Sequence, residues 1–220
     1  MLCQDMRHST VTHSTENLDW KEPSQARSRA KVALILDTAR DMAAEAGHLD
    51  IKMTEVAARA NVPIGSVYQY FPTRTTLLAR LFAREMEPID RALTESLSNA
   101  NSLDDIVQGI GDLMRSNIEI VRANPGLFAI WSSPTMDPIL QAADLENSQK
   151  NARAITEAVL SFGQKRADEE AVGNLALLIC HLWGSVVRLS ILMQDNQQAD
   201  DIVEQYVGMI EGQIRRLTLS

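Results

Sequence analysis

The sequence predicts an all-α protein: a small N-terminal three-helix unit followed by a larger helical body. Two observations carry this. Apolar residues recur at three- and four-residue spacings in segment after segment, the period of amphipathic helices. Residues 53 to 71, MTEVAARANVPIGSVYQYF, read as two short helices joined by a tight turn. Ala57 is small enough for a second helix to pack close. Asn61, four residues on, suits a left-handed turn residue. Pro63 suits the first position of the next helix, where its missing N–H is not needed. Val67 and Phe71 fall at i and i+4 and point inward. That succession is a helix-turn-helix.

Composition is consistent with a globular chain. Hydrophobic residues make up 45% of it, an ordinary share for a protein with a substantial core. Cys3 and Cys180 lie in no C-x-x-C or zinc-ligand spacing, which points to a reduced, cytoplasmic compartment and no metal site. The net charge of −8 is divided unevenly: −2 over residues 1–20, +2 over 21–87 and −8 over 88–220. A head that approaches nucleic acid on an acidic body fits that split. Ordinary scatter is the alternative.

Residues 1–23 lack apolar periodicity and read as a disordered tail, without a secretory leader. Arg27, Arg29 and Lys31 precede the first periodic helix and form either a basic arm or a solvated helix start. That helix covers about Arg29–Ala46, with Ile35, Ala39, Met42, Ala43 and Ala46 as its stripe and Gly47 ending it. The second helix, about Met53–Ala60, buries Met53, Val56, Ala57 and Ala60. The third covers about Pro63–Tyr70 and carries Ser66, Gln69 and Tyr70 off its inward face, where they can meet a major groove. Pro72 stops it, and Thr73 is an N-cap for the fourth helix. The fourth continues through Leu77, Leu78, Leu81, Phe82 and Met86. Pro88 is expected to bend or break it, closing the head at residues 24–87.

Residues 29–78 resemble the DNA-binding domain of the TetR family of bacterial transcriptional regulators. The most specific piece runs from Val62 to Arg74, VPIGSVYQYFPTR. It is similar to that family's recognition helix, with a Tyr-x-x-Phe ending and a basic residue three positions later. Beyond Arg84 the resemblance rests on length and helical pattern. It implies base contacts from Ile64, Gly65, Ser66 and Gln69. Gln69 is suited to a two-point contact with adenine, and Ile64 to a thymine methyl. Tyr68 and Tyr70 are expected to give hydroxyls to phosphates, with core packing as the alternative for Tyr68. Threonines that commonly hold phosphates in the family are replaced here by Lys52 and Met53. Lys52 keeps a point charge for the backbone and Met53 does not. Thr54 is placed to touch a base or phosphate. Arg74 stands where the family usually has lysine and is expected to grip a phosphate.

The body, residues 88–220, is read from periodicity. The fifth helix has Leu103, Ile106, Val107, Ile110, Leu113, Met114, Ile118 and Val121 on one stripe, a Ser102 cap, and Asn117 interrupting the stripe. Asn124-Pro125-Gly126 breaks the chain before a short aromatic segment with Phe128 and Trp131. Ser132–Pro138 reads as a loop. The seventh helix runs from about Pro138 to Phe162. The eighth, about Asp168–Met193, carries no charged residue from 171 to 187. A membrane span is one reading. Asn174, His181 and Arg188, with the shortness of the uncharged run, favour a helix packed on its own subunit and on a partner. The ninth, about Ala199–Leu217, has Ile202, Val203, Tyr206, Val207, Ile210, Ile214 and Leu217 on one side. The resemblance implies that the last two helices of two chains form a homodimeric four-helix bundle.

Phosphate loops, nucleophile elbows and metal-binding helix motifs are missing, so neither an enzyme nor a cofactor is expected. The expected function is a ligand-responsive, DNA-binding transcriptional regulator. Repression at a palindromic operator on double-stranded DNA, relieved by a small-molecule effector, is the mode the resemblance implies. Activation is the alternative mode. The expected effector wall is Met114, Asn117, Phe128, Trp131, Met136 and His181. A helix-turn-helix protein controlled by a protein partner, with no small-molecule effector, is the competing reading. A small helical enzyme is the other.

Overall fold

A computed structural model describes residues 24–132, 138–162, 168–193 and 195–218. The predicted tail 1–23 and most of the predicted loop, 133–137, lie outside the described residues. Among the described residues there are nine helices and no strand. They are α1 (Ala26–Ala46), α2 (Met53–Arg59), α3 (Ile64–Tyr70), α4 (Arg74–Asn99), α5 (Leu103–Ala123), α6 (Pro125–Ser132), α7 (Pro138–Phe162), α8 (Glu169–Leu192) and α9 (Asn196–Thr218).

Local chemistry accounts for most of the boundaries. Gly47 ends α1 at φ 72°, and its N–H donates to the Ala43 carbonyl. Asn61 ends α2 at φ 52°. Its N–H donates to Ala58 O, and the Val62 N–H reaches back to Ala57 O at 3.0 Å. Those two bonds form a Schellman cap with asparagine in the left-handed position. Pro63 sits just before α3 rather than as its first residue. Thr73 accepts from the Thr76 N–H and Ser102 from the Asp105 N–H, capping α4 and α5.

Pro88 does not break the fourth helix. α4 runs for 26 residues straight through it. Pro88 is exposed, while Met86, Asp90 and Leu93 beside it are buried against the body. Packing on both sides of the proline outweighs its missing hydrogen bond.

Head and body share one apolar core. The cluster includes Ile35, Val56, Val67 and Phe71 of the head and Met114 and Ile130 of the body, with Phe82 of α4 among them. Each fully buried side chain of this size contributes about 1.5–3 kcal/mol. A second cluster holds Leu93, Ile106, Ile155, Ile179, Ile210 and Ile214. α6 presses on α1: a Cβ at Gly126 would lie 2.9 Å from Ala44 Cβ and 3.1 Å from the Arg40 carbonyl. Only glycine allows that approach.

α8 is long and apolar enough to cross a membrane by length and composition. It packs between α7 and α9, and also touches α5. Its outer side leaves Leu178, Leu182, Leu189 and Leu192 exposed. On α9, Val203, Ile210 and Ile214 are buried in the chain's own core, and Met209 faces outward. Ile210 therefore holds the protomer together and is not available to a partner.

Candidate nucleic-acid interface and cavity

α3 turns Val67 inward, and Phe71, directly after it, is also fully buried. Ile64, Gly65, Tyr68 and Gln69 then lie together on the exposed face, at the i, i+1, i+4 and i+5 positions. Ser66 and Tyr70 are half-buried at its margins, and Tyr70 packs on the core. Tyr68 is 48% exposed, which excludes core packing as its role. A Cβ at Gly65 would meet no atom within 4 Å. Nothing inside the protein requires glycine there, although glycine in a helix costs about 0.5–1 kcal/mol relative to alanine.

The entrance to α2 lies beside this face in sequence and is exposed. Lys52 pairs with Glu55 at 3.2 Å, and Thr54 is exposed. Arg74 is placed differently from its expected outward grip. Its Nε donates to the Ile51 carbonyl at 2.9 Å, and Nη2 donates to the Leu49 carbonyl. The guanidinium thus braces the loop between α1 and α2. Arg59 pairs with Glu45, holding α2 to α1. That contact lowers the Glu45 carboxyl and raises the Arg59 guanidinium. Arg84 pairs with Asp37 at 3.0 Å, holding α4 to α1.

The body contains a cavity of about 70 Å³ between α4, α5, α7 and α8. Its apolar wall includes Phe82, Met86 and Leu93 of α4, Ile110 of α5, Ile155 of α7 and Ile179 of α8. Its polar wall includes Asp90, Asp144, Asn151 and Arg188. Asp90 is buried and accepts from Asn151 Nδ2 at 2.7 Å, Lys150 Nζ at 2.9 Å and Asn147 Nδ2 at 3.3 Å. Burial pushes the Asp144 carboxyl up, against the opposing pull of His181 and Arg188. Burial, with the charge of Asp90 behind it, also pushes the Cys180 thiol up to about 12, so the thiol in this wall is held protonated.

Two family models cover most of the chain. One, for bacterial regulatory proteins of the tetR family, matches residues 35–81. The other, for a tetracycline repressor-like C-terminal domain, matches residues 104–217. The chain belongs to the TetR family. Its relatives are regulators rather than enzymes.

The repressor KstR of Rhodococcus jostii (strain RHA1) is 38% identical to this TetR-family chain over 84 residues, 38% of the chain and 39% of that protein. KstR of Mycobacterium tuberculosis (strain ATCC 25618 / H37Rv) is 25% identical over 151 residues, 68% of the chain and 66% of that protein. The chain thus matches about two fifths of the first of these curated relatives and about two thirds of the second. Among solved structures, a TetR-family regulator from Pectobacterium atrosepticum superposes with a TM-score of 0.64 at 20% identity, over 90% of this chain and 99% of that one. GusR of Salmonella enterica superposes with a TM-score of 0.64 at 14% identity, over 87% and 97% of the two chains. Such low identities show the shared fold.

In this TetR-family chain the cavity wall differs from the one expected. Met114 is fully buried in the core, and Asn117 is buried with its Oδ1 unpaired among the described residues; neither lines the cavity. Phe128 packs half-buried against the core from α6. His181 is exposed beside the wall, with Nδ1 3.6 Å from Asp144 Oδ2. Trp131 lies in the last turn of α6, with its side chain outside the described residues, and Met136 lies wholly outside them. The physical reason is angular: each helical residue turns about 100° from the last. Cys180 lines the cavity, so its neighbour His181 points elsewhere. The missed residue with a legible signal is Asp90. It follows Met86 by four positions and precedes Leu93 by three, an acid within an apolar stripe.

Proposed function

We propose that this protein is a cytoplasmic, homodimeric repressor. α3 reads a palindromic operator, and a small molecule in the α4/α5/α7/α8 cavity releases it. The observation that carries the reading is α4. One unbroken helix begins beside the reading helix at Arg74 and forms a cavity wall at Asp90. A ligand that repacks that wall acts directly on the helix bearing the head. A coupling of about 1–3 kcal/mol would weaken DNA binding roughly 5–150-fold.

The reading residues are Ile64, Gly65 and Gln69, with Ser66 at the margin. Lys52, Thr54, Tyr68 and Tyr70 position the backbone. The exposed leucines of α8, with Met209 of α9, supply the apolar face that a second copy covers. Two-fold symmetry then presents two reading helices to half-sites about one helical turn, ~34 Å, apart.

The test is binding of purified protein to DNA from its own upstream region, at fixed salt, against unrelated competitor DNA. Protection of two half-sites by one dimer supports the reading. Binding no tighter than to competitor, with selection from random sequence also yielding no palindrome, rejects it.

A further inference from the structure

The polar wall of the cavity has a definite sign. Two carboxylates, Asp90 and Asp144, face one guanidinium, Arg188. Arg188 acts on Asp144, which also feels His181. Asp90 is the more buried acid, and its side chain is only 11% exposed. Its Oδ1 is held by Asn147 and Asn151, while Oδ2 takes Lys150. Lys150 reaches in from solvent with a side chain 61% exposed. Lysine is a flexible point charge, and an exposed cation of this kind gives up little when its partner changes. Phe82 and Trp183 add aromatic side chains to the same wall, groups whose faces attract cations. The surrounding body, residues 88–220, carries a net charge of −8, which raises the local concentration of cations.

We infer that the effector is a small amphipathic cation, an apolar molecule with one protonated amine, whose ammonium replaces Lys150 at Asp90 Oδ2. This rests on the reading of the cavity as the effector site. The hydrocarbon part sits against Phe82, Leu93 and Ile155, and the ammonium donates to a carboxylate already oriented by two asparagines. A carboxylate ligand would meet two like charges against the single guanidinium of Arg188 in a site of low dielectric. The exchange also has a regulatory consequence. Lys150 belongs to α7 and Asp90 to α4, so the ligand substitutes a contact of its own for one of the three bonds that Asp90 makes to α7.

The test uses three molecules that share one ring and differ in head group: benzylamine, benzyl alcohol and benzoate. Each is titrated calorimetrically into the full-length protein. The amine is expected to bind about tenfold more tightly than the alcohol or the acid, the size of a charge-assisted hydrogen bond. Asp90→Asn abolishes that preference. Lys150→Met, at an exposed position, tightens the amine about tenfold by removing its competitor and leaves the alcohol unchanged. A purely structural role for Lys150 would lower stability without raising amine affinity. Equal binding of all three, or preference for benzoate, overturns the cationic assignment and leaves the cavity reading standing. Binding of none overturns both. If Asp90→Asn does not fold, the lysine variant decides: unchanged amine affinity overturns the exchange.

Discussion

Arg74 Nε donates to the Ile51 carbonyl at 2.9 Å, tying the first turn of α4 to the loop that enters α2. A cation in the first turn opposes the helix dipole. These bonds, with the Leu49 carbonyl as a second acceptor, supply the compensating interaction inside the protein. Arg74→Ala and Arg74→Lys are therefore both expected to destabilise the head. The loss is about 1–3 kcal/mol in urea unfolding, because lysine lacks the fork that serves two carbonyls. The salt dependence of DNA binding should keep its slope. A slope flatter by about one unit, with stability unchanged, would assign Arg74 to a phosphate instead.

Gly65 separates interface from fold. The head has open space for a methyl group there. Gly65→Ala should leave stability unchanged or raise it by up to about 1 kcal/mol, as expected for alanine in a helix. DNA affinity should fall, because the backbone no longer approaches as closely. Parental affinity in the variant would remove Gly65 from the interface.

Asn61 occupies the left-handed region at φ 52°. Asn61→Ala should cost up to about 1 kcal/mol, because both residues carry the Cβ that the left-handed region penalises and only asparagine's short polar side chain can offset it by local hydrogen bonding. Asn61→Gly should be tolerated. Thermal melting of the two variants reads the difference, and equal melting temperatures would count against strain at the turn.

Asp144 gives a pH dependence whose sign follows from its burial. Its folded value lies above the ordinary 3.8. Between those two values the unfolded chain releases its proton first, so the folded state binds more protons and its stability falls as pH rises. Asp144→Asn removes that loss. The variant should gain on the parent as pH rises from the ordinary 3.8 through the raised folded value, measured by urea midpoints across the acid range. A constant gap would reject burial as the dominant influence.

The outward leucines of α8 test the dimer. Leu182→Glu should yield folded monomers in sedimentation, because Leu182 is exposed on the protomer. Ile210→Asp should instead unfold the chain, since Ile210 is only 3% exposed within its own core. A persistent dimer in Leu182→Glu would place the interface elsewhere.

Much of the head was legible because its determinants are local. The left-handed Asn61, the terminal Gly47, the Thr73 cap and the inward Val67 and Phe71 each act within a few residues. Residue type and spacing therefore determined the all-α class and the helix-turn-helix without reference to the rest of the chain, whereas Ser66 and Tyr70, read as outward, are half-buried at the margin of the exposed face. Tertiary structure decided what depends on contacts between distant segments. Whether α4 survives Pro88 depended on the body against which Met86, Asp90 and Leu93 are buried. The bonds of Arg74 to the loop carbonyls depended on where residues 49–51 come to rest. The cavity wall depended on which side of each helix meets its neighbours. Asp90 lies 57 positions from Asn147 and 61 from Asn151 in the chain, and it meets them only because α4 and α7 pack together. Periodicity shows that a helix has a buried side, but the partner of that side is set by packing, where small rotations exchange Cys180 for His181.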